Sequence, residues 1–173
     1  MSQDNRHSVS VAAVVTNDDG RVLVVKRRDT GKWEIPGGIL ERDESIHAGL
    51  RREVGEETGL NVEPGRLTGV YKNLRLGVVA LVFRARVVGG TAGPTEESAA
   101  VEWWTADDVT ADMGETFAVR VLDALDATEV AIRLHDGVRV LPEGESGSHP
   151  SRSTAVPIAG TGEGGCVGSA DQM

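Results

Sequence analysis

Along this chain the spacing of apolar positions switches between a near-continuous run, a two-residue alternation and a three-to-four-residue step, and each switch marks an element. Residues 8–16 (SVSVAAVVT) are almost all apolar or β-favouring, which predicts a strand covered on both faces. Asn17-Asp18-Asp19-Gly20 is a turn signal, and residues 21–27 (RVLVVKR) return as a second strand, so the two read as a hairpin. Trp33-Glu34-Ile35-Pro36 is a short extended piece ending in Gly37-Gly38. A glycine pair after proline permits positive φ and close approach of the backbone to a ligand; packing is not expected to require it.

The period then becomes helical. Ile46, Gly49, Leu50, Glu53, Val54 and Glu57 recur at three- and four-residue steps, the stripe that an amphipathic helix turns toward a core. Asp43 or Ser45 can cap this helix, Glu44 is expected in its first turn, and Thr58-Gly59-Leu60 is a stop signal with Gly59 at the left-handed position. Residues 67–71 and 74–88 read as strands, 89–94 (GGTAGP) as a mobile loop, and 101–104 (VEWW) as a closing strand. Thr105 can cap a short helical turn. Residues 115–125 (ETFAVRVLDAL) have a clean helical period with Phe117, Val121, Leu122 and Leu125 apolar, a helix expected only to pack. Residues 131–141 suggest a small hairpin about Asp136-Gly137.

Composition narrows the class. With 39% apolar residues and only 3% aromatic in 173, a core must rest on Val, Ala, Leu and Ile. From Pro142 onward the chain is mostly Gly, Ser, Pro, Thr and Glu and cannot bury enough surface to fold; a domain over 1–141 with a disordered tail over 142–173 is expected. The net charge of −9 argues against duplex nucleic acid or an anionic membrane as partner. Cys166 is the single cysteine, so no intrachain disulfide forms. The N-terminus (MSQDNRHSVS) has no apolar signal region and the longest apolar run is far too short for a bilayer, which leads to the expectation of a cytoplasmic protein. The four scattered histidines make no zinc set, and there is no phosphate-binding loop, no dinucleotide fingerprint and no serine elbow.

Chemistry enters with the helix stripe, because two of its core-facing positions are glutamates and Glu56 lies beside them. Glu53, Glu56 and Glu57 crowd the C-terminal half of the helix, where the macrodipole disfavours carboxylates and like charges three or four apart repel. A local rule broken without structural return points to function, and a hard divalent cation would remove the conflict. Gly38, Glu44, Arg52, Glu53, Val54, Glu56, Glu57, Gly59 and Leu60 together spell Gly-x5-Glu-x7-Arg-Glu-apolar-x-Glu-Glu-x-Gly-apolar. That pattern resembles the box of the Nudix hydrolases, with every defining position filled.

The resemblance implies an α/β fold, a Nudix-type α/β/α sandwich with a mixed β-sheet. It further implies Mg²⁺ or Mn²⁺ held by Glu53, Glu56, Glu57 and the Gly38 carbonyl, Arg52 orienting Glu53, and Gly37, Glu44 and Gly59 supporting the site. A further loop carboxylate is expected several residues before Trp103; Glu97 fits that offset best and Glu96 next, as metal ligand or base. By the same resemblance, Glu53 or Glu97 is expected to take the proton from water. Of the cations ending the second strand, Arg28 or Arg27 is the candidate for substrate phosphates, and Trp33 either stacks on a base or fills core. Residues 32–38 (KWEIPGG) resemble the MutT-like branch, which cleaves (d)NTPs to monophosphate and pyrophosphate; ADP-ribose or a nucleotide sugar is the second choice. A binding-only, metabolite-sensing relative is the alternative from another class. A small-molecule nucleotide is the expected partner; many relatives are homodimers, although no residue here points to an interface.

Overall fold

A computed structural model of the chain describes residues 6–126 and 128–142. The expected 142–173 tail therefore falls, beyond Pro142, outside the described residues. The order is β1 (Ser8–Val15), β2 (Val22–Arg27), β3 (Trp33–Glu34), β4 (Gly37–Ile39), α1 (Ile46–Thr58), β5 (Leu60–Asn73), β6 (Val78–Gly90), β7 (Ser98–Trp104), α2 (Ala106–Asp112), α3 (Glu115–Asp126), β8 (Ala131–His135) and β9 (Val140–Leu141). Six strands form a mixed sheet in the order β4-β1-β6-β5-β8-β9, and β3-β2-β7 form a second, antiparallel sheet. β1 runs parallel to β6, and β8 parallel to β5; the other pairs in the large sheet are antiparallel.

β1 explains the layering. Its Val11, Ala13 and Val15 join a core with Leu50 and Val54 of α1, while Ala12 and Val14 join a second core with Ala118, Val121 and Ala124 of α3. An alternating strand with both faces apolar is covered by a helix layer on each side, as its unbroken apolar run requires. Among the described residues no helix is long and apolar enough to cross a membrane.

The expected β1–β2 hairpin does not form. Asn17 makes the turn, its Oδ1 accepting from the amides of Asp19 (3.1 Å) and Arg21 (2.9 Å), but only one bridge, Thr16 to Val22, follows. A strand has two hydrogen-bonding edges. β4 and β6 take those of β1, β3 and β7 take those of β2, and the two strands part into different sheets. Residues 74–77 are a turn and not the start of a strand, because Asn73 Oδ1 accepts from Arg75 N (3.0 Å) and Leu76 N (3.1 Å) while Gly77 takes φ 63°. β5 begins as early as Leu60, directly after the helix cap. The glycines at 89 and 90 end β6, and Gly93 N donates to Thr58 O at 3.1 Å, so residues 89–94 are tied to the end of α1 where a mobile loop was expected.

Both caps of α1 follow their residues: Ser45 Oγ accepts from Ala48 N at 3.2 Å, and Gly59 sits at φ 76°. Glu44 precedes the cap and lies outside the first turn, and Ile46 is 41% exposed, at the open end of the stripe. On α3 the buried face is Ala118, Val121 and Ala124 together with Arg120; Leu122 and Leu125 face outward. Thr105 caps α2 in a reciprocal box with Asp108.

Candidate active site

The buried side of α1 carries Leu50 and Val54 into the core and, at the same spacing, Glu53 and Glu57, which are 8% and 2% exposed. Both acids meet β4. Gly37 N donates to Glu57 Oε2 at 2.8 Å, and a methyl built on Gly38 would overlap the Glu53 carboxylate, with the carboxyl carbon 2.5 Å away. A methyl on Gly37 would in turn overlap the Val11 carbonyl and come within 2.6 Å of Ala12 Cα. The glycine pair is therefore required by packing after all: one glycine lets β4 lie on β1, the other lets α1 bring a carboxylate against the strand.

Arg52 organises the acids. Its Nε and Nη2 donate to Glu44 at 3.1 and 2.7 Å, Nη2 also to Ile39 O at 3.2 Å, and Nη1 divides between Glu53 Oε1 (2.8 Å) and Glu56 Oε2 (3.0 Å). The fork is spent on Glu44, outside the helix, and a single nitrogen holds Glu53. Glu56, with 48% of its side chain exposed, is held on the Arg52 side of the cluster. Arg27 donates to both oxygens of Asp29 at 2.9 Å and reaches Glu57 Oε1 with Nη1 at 3.4 Å. Arg28 Nε donates to Thr95 O (2.9 Å) and its amide to Glu97 O (3.1 Å), which ties it to the loop that carries Glu97. Trp33 is half-buried, 4.7 Å from Trp104, and so fills space beside the core.

Electrostatics separate these groups. Burial pushes the Glu57 carboxyl up to about 7, against the pull of the Gly37 amide and Arg27, and Glu53 and Glu97 push it further. Burial also raises Glu53, with Glu56 and Glu97 adding repulsion. Arg52 beside Glu44 holds that carboxyl below its usual range. Glu97 is thus close enough to be felt by both buried acids although it is itself exposed. Among the described residues no three acidic, histidine or cysteine side chains converge on one metal-sized point. The donor set still suits a hard divalent cation, since carboxylates and a strand carbonyl are the oxygen ligands it takes and mutual repulsion is what it relieves.

A cavity of about 350 Å³ opens beside the glycine strand, within the range of small-molecule sites. Arg27, Gly37 and Gly38 line it, together with Tyr71, Phe117 and Arg120. A second cavity of about 410 Å³, lined by Trp33 and Lys32, shares the Glu34 and Phe117 walls. Glu34, Tyr71 and Arg120 are absent from the expectations drawn on sequence. The one available signal was helical spacing: Phe117, Arg120, Val121 and Ala124 fall on one stripe, which puts a guanidinium on the face of a helix expected only to pack.

The fold is thus an α/β sandwich in which paired buried glutamates are laid on a glycine strand that also borders a small-molecule cavity. The NUDIX domain model matches residues 6–125, and the chain belongs to the Nudix family. A MutT-like protein of Streptomyces ambofaciens is 53% identical over 138 residues, covering 80% of this chain and 90% of that protein. A Bacillus subtilis protein provisionally named an 8-oxo-dGTP diphosphatase is 33% identical over 91 residues, 52% of this chain and 61% of the relative. Among solved structures, an ADP-ribose pyrophosphatase from Streptococcus suis aligns with TM-score 0.63 at 25% identity over 73% of this chain and 99% of that one. The protein is accordingly a pyrophosphohydrolase of a family that uses divalent metals and acts on small nucleotide substrates.

Proposed function

We propose that the chain hydrolyses a (d)NTP to the nucleoside monophosphate and pyrophosphate. The observation that carries this reading is the placement of Glu53 and Glu57 against the Gly37–Gly38 strand, which itself walls a nucleotide-sized cavity. Support for the substrate class comes from the MutT-like and 8-oxo-dGTP-directed relatives, and from the KWEIPGG segment around that strand. ADP-ribose is the second reading, favoured by the structural likeness to the Streptococcus suis enzyme.

Glu53, Glu57 and the Gly38 carbonyl would hold Mg²⁺ or Mn²⁺, with Glu97 and Glu56 completing the set from loop and helix. Such an ion supplies charge neutralisation at the phosphates and lowers the pKa of water. Arg27, bordering the cavity, binds phosphate oxygens; its Asp29 partner pre-sets the guanidinium for that contact. Water oxygen attacks phosphorus, the bridging P–O bond breaks toward pyrophosphate, and Glu53, its carboxyl raised by burial, accepts the water proton. Glu97 is the other acid near enough to do so. Arg52 keeps Glu53 oriented through one hydrogen bond while Glu44 keeps Arg52 in place.

The test is a metal-dependent substrate panel with both products identified. Monophosphate plus pyrophosphate from dNTPs is the expected result. Turnover of ADP-ribose with none of any dNTP would replace the first reading by the second.

A stability prediction follows from Glu57. Its carboxyl titrates at about 7 in the fold against 4.5 for an unperturbed glutamate, so between those values the folded chain binds more protons than the unfolded one. Metal-free protein is therefore expected to lose stability as pH rises from about 4.5 to 7, by at most about 3 kcal/mol from this group. Millimolar Mg²⁺ at pH 7.5 should restore it, read as a rise in melting temperature. A flat profile without metal would show that Glu57 is better solvated than its burial indicates.

A further inference from the structure

The cavity beside the glycine strand contains two charged groups that the hydrolytic chemistry leaves unused. Arg120 is 8% exposed on α3, its guanidinium 4.6 Å from the Phe117 ring centroid and 5.4 Å from that of Tyr71. Ring contact occupies the faces of a guanidinium and leaves its N–H edge for planar hydrogen bonding. Along that edge Nε has no partner, and Nη2 finds only His135 Nε2 at 3.4 Å. His135 is a poor acceptor there. Gly137 N donates to its Nδ1 at 3.1 Å, so a neutral ring carries its proton on Nε2 and turns a donor toward a donor. No ion pair among the described residues includes Arg120. A buried, always-charged group left this short of acceptors is costly unless a ligand supplies them.

Glu34 of β3 lines the same cavity. Burial pushes its carboxyl up, and Arg27 and Arg120 pull it back, so it feels Arg120 without closing on it. A donor-only edge and a carboxylate thus border one space, and a planar group presenting an acceptor beside a donor fits between them. A phosphate is the poorer occupant of that space: Ile35, Val78, Ala80 and Phe117 make the neighbouring wall apolar, and an ionised group beside Arg120 would be desolvated.

We propose that Arg120 and Glu34 read the nucleotide base and select keto bases, guanine above thymine or uracil, against adenine and cytosine. Guanine presents O6 to Arg120, and N1–H with the 2-amino group to Glu34. Thymine and uracil present O4 and N3–H in the same order but lack the amino group. Adenine and cytosine reverse it, turning an amino donor toward the guanidinium and a ring acceptor toward the carboxylate. A site whose buried polar groups are left mismatched rejects that substrate strongly.

The inference rests on the nucleoside triphosphate reading and deepens it. With full-length protein and Mg²⁺, kcat/KM for dGTP is expected to exceed that for dATP and dCTP by about 10-fold or more, the discrimination of one good two-point base contact. dITP, which lacks the 2-amino group, should fall between dGTP and dATP. Arg120→Met keeps the packing length and should bring the dGTP:dATP ratio toward one; Glu34→Gln, an isosteric change that removes the carboxylate, should do so independently if Arg120→Met folds poorly. Hydrolysis of all four dNTPs without preference, or a ratio that neither substitution moves, would overturn the base-reading role alone. Turnover of none of them would remove the triphosphate reading, and this inference with it.

Discussion

Glu53→Gln is expected to lower kcat by roughly 10²- to 10⁴-fold, the contribution of a positioned proton acceptor, while leaving the melting temperature at or above that of the parent protein. The two halves have one cause. Glu53 is buried, and its carboxyl is raised because desolvation outweighs the single hydrogen bond from Arg52. The amide oxygen of glutamine can still accept from Arg52 Nη1, so the helix keeps its seat against β4 without the cost of a desolvated charge. What is lost is the ability to take a proton and one negative ligand. Single-turnover rates with melting curves on the same preparations decide it. Near-parental kcat would remove Glu53 from the chemistry, and a collapsed melting transition would show its role to be structural.

The second large effect comes from the glycine pair, where two adjacent substitutions should fail differently. Gly37→Ala puts a methyl into the Val11 carbonyl and against Ala12 Cα, both backbone of the strand shared by the two cores. Neither atom can rotate away, so a loss of about 3 kcal/mol is expected, which for a domain of this size is roughly 10 °C in melting temperature. At Gly38→Ala the nearest atoms to the new methyl are the end of a side chain, the Glu53 carboxylate, which can swing aside. The fold should then survive with little change in melting temperature while kcat falls about 100-fold, because a displaced carboxylate no longer meets its target. Equal damage to stability from both substitutions would show that Glu53 is locked in place more firmly than one bond from Arg52 implies.

These contrasts show what local sequence determined about this protein. The α1 stripe, Ser45 and Gly59 at its ends, the Thr105 cap and the clustered glutamates were all legible, since each depends on residues within about one helical turn. The conflict of three acids at an ill-suited helix end singled out this helix. It could not say that Glu53 and Glu57 face the glycine strand while Glu56 stays with Arg52, because that division follows from where β4 lies. Nor could it say that β1 and β2, joined by a sound turn, would part: strand edges are claimed in competition with segments far along the chain, and β6 and β7 took the places the hairpin would have used. Arg120 is the clearest case. Its spacing put it on a buried face, but only the assembled molecule sets Phe117, Tyr71 and Glu34 around the guanidinium and withholds an acid to pair with it. Period and capping are properties of neighbours in sequence, whereas a charge's partner is a property of neighbours in space.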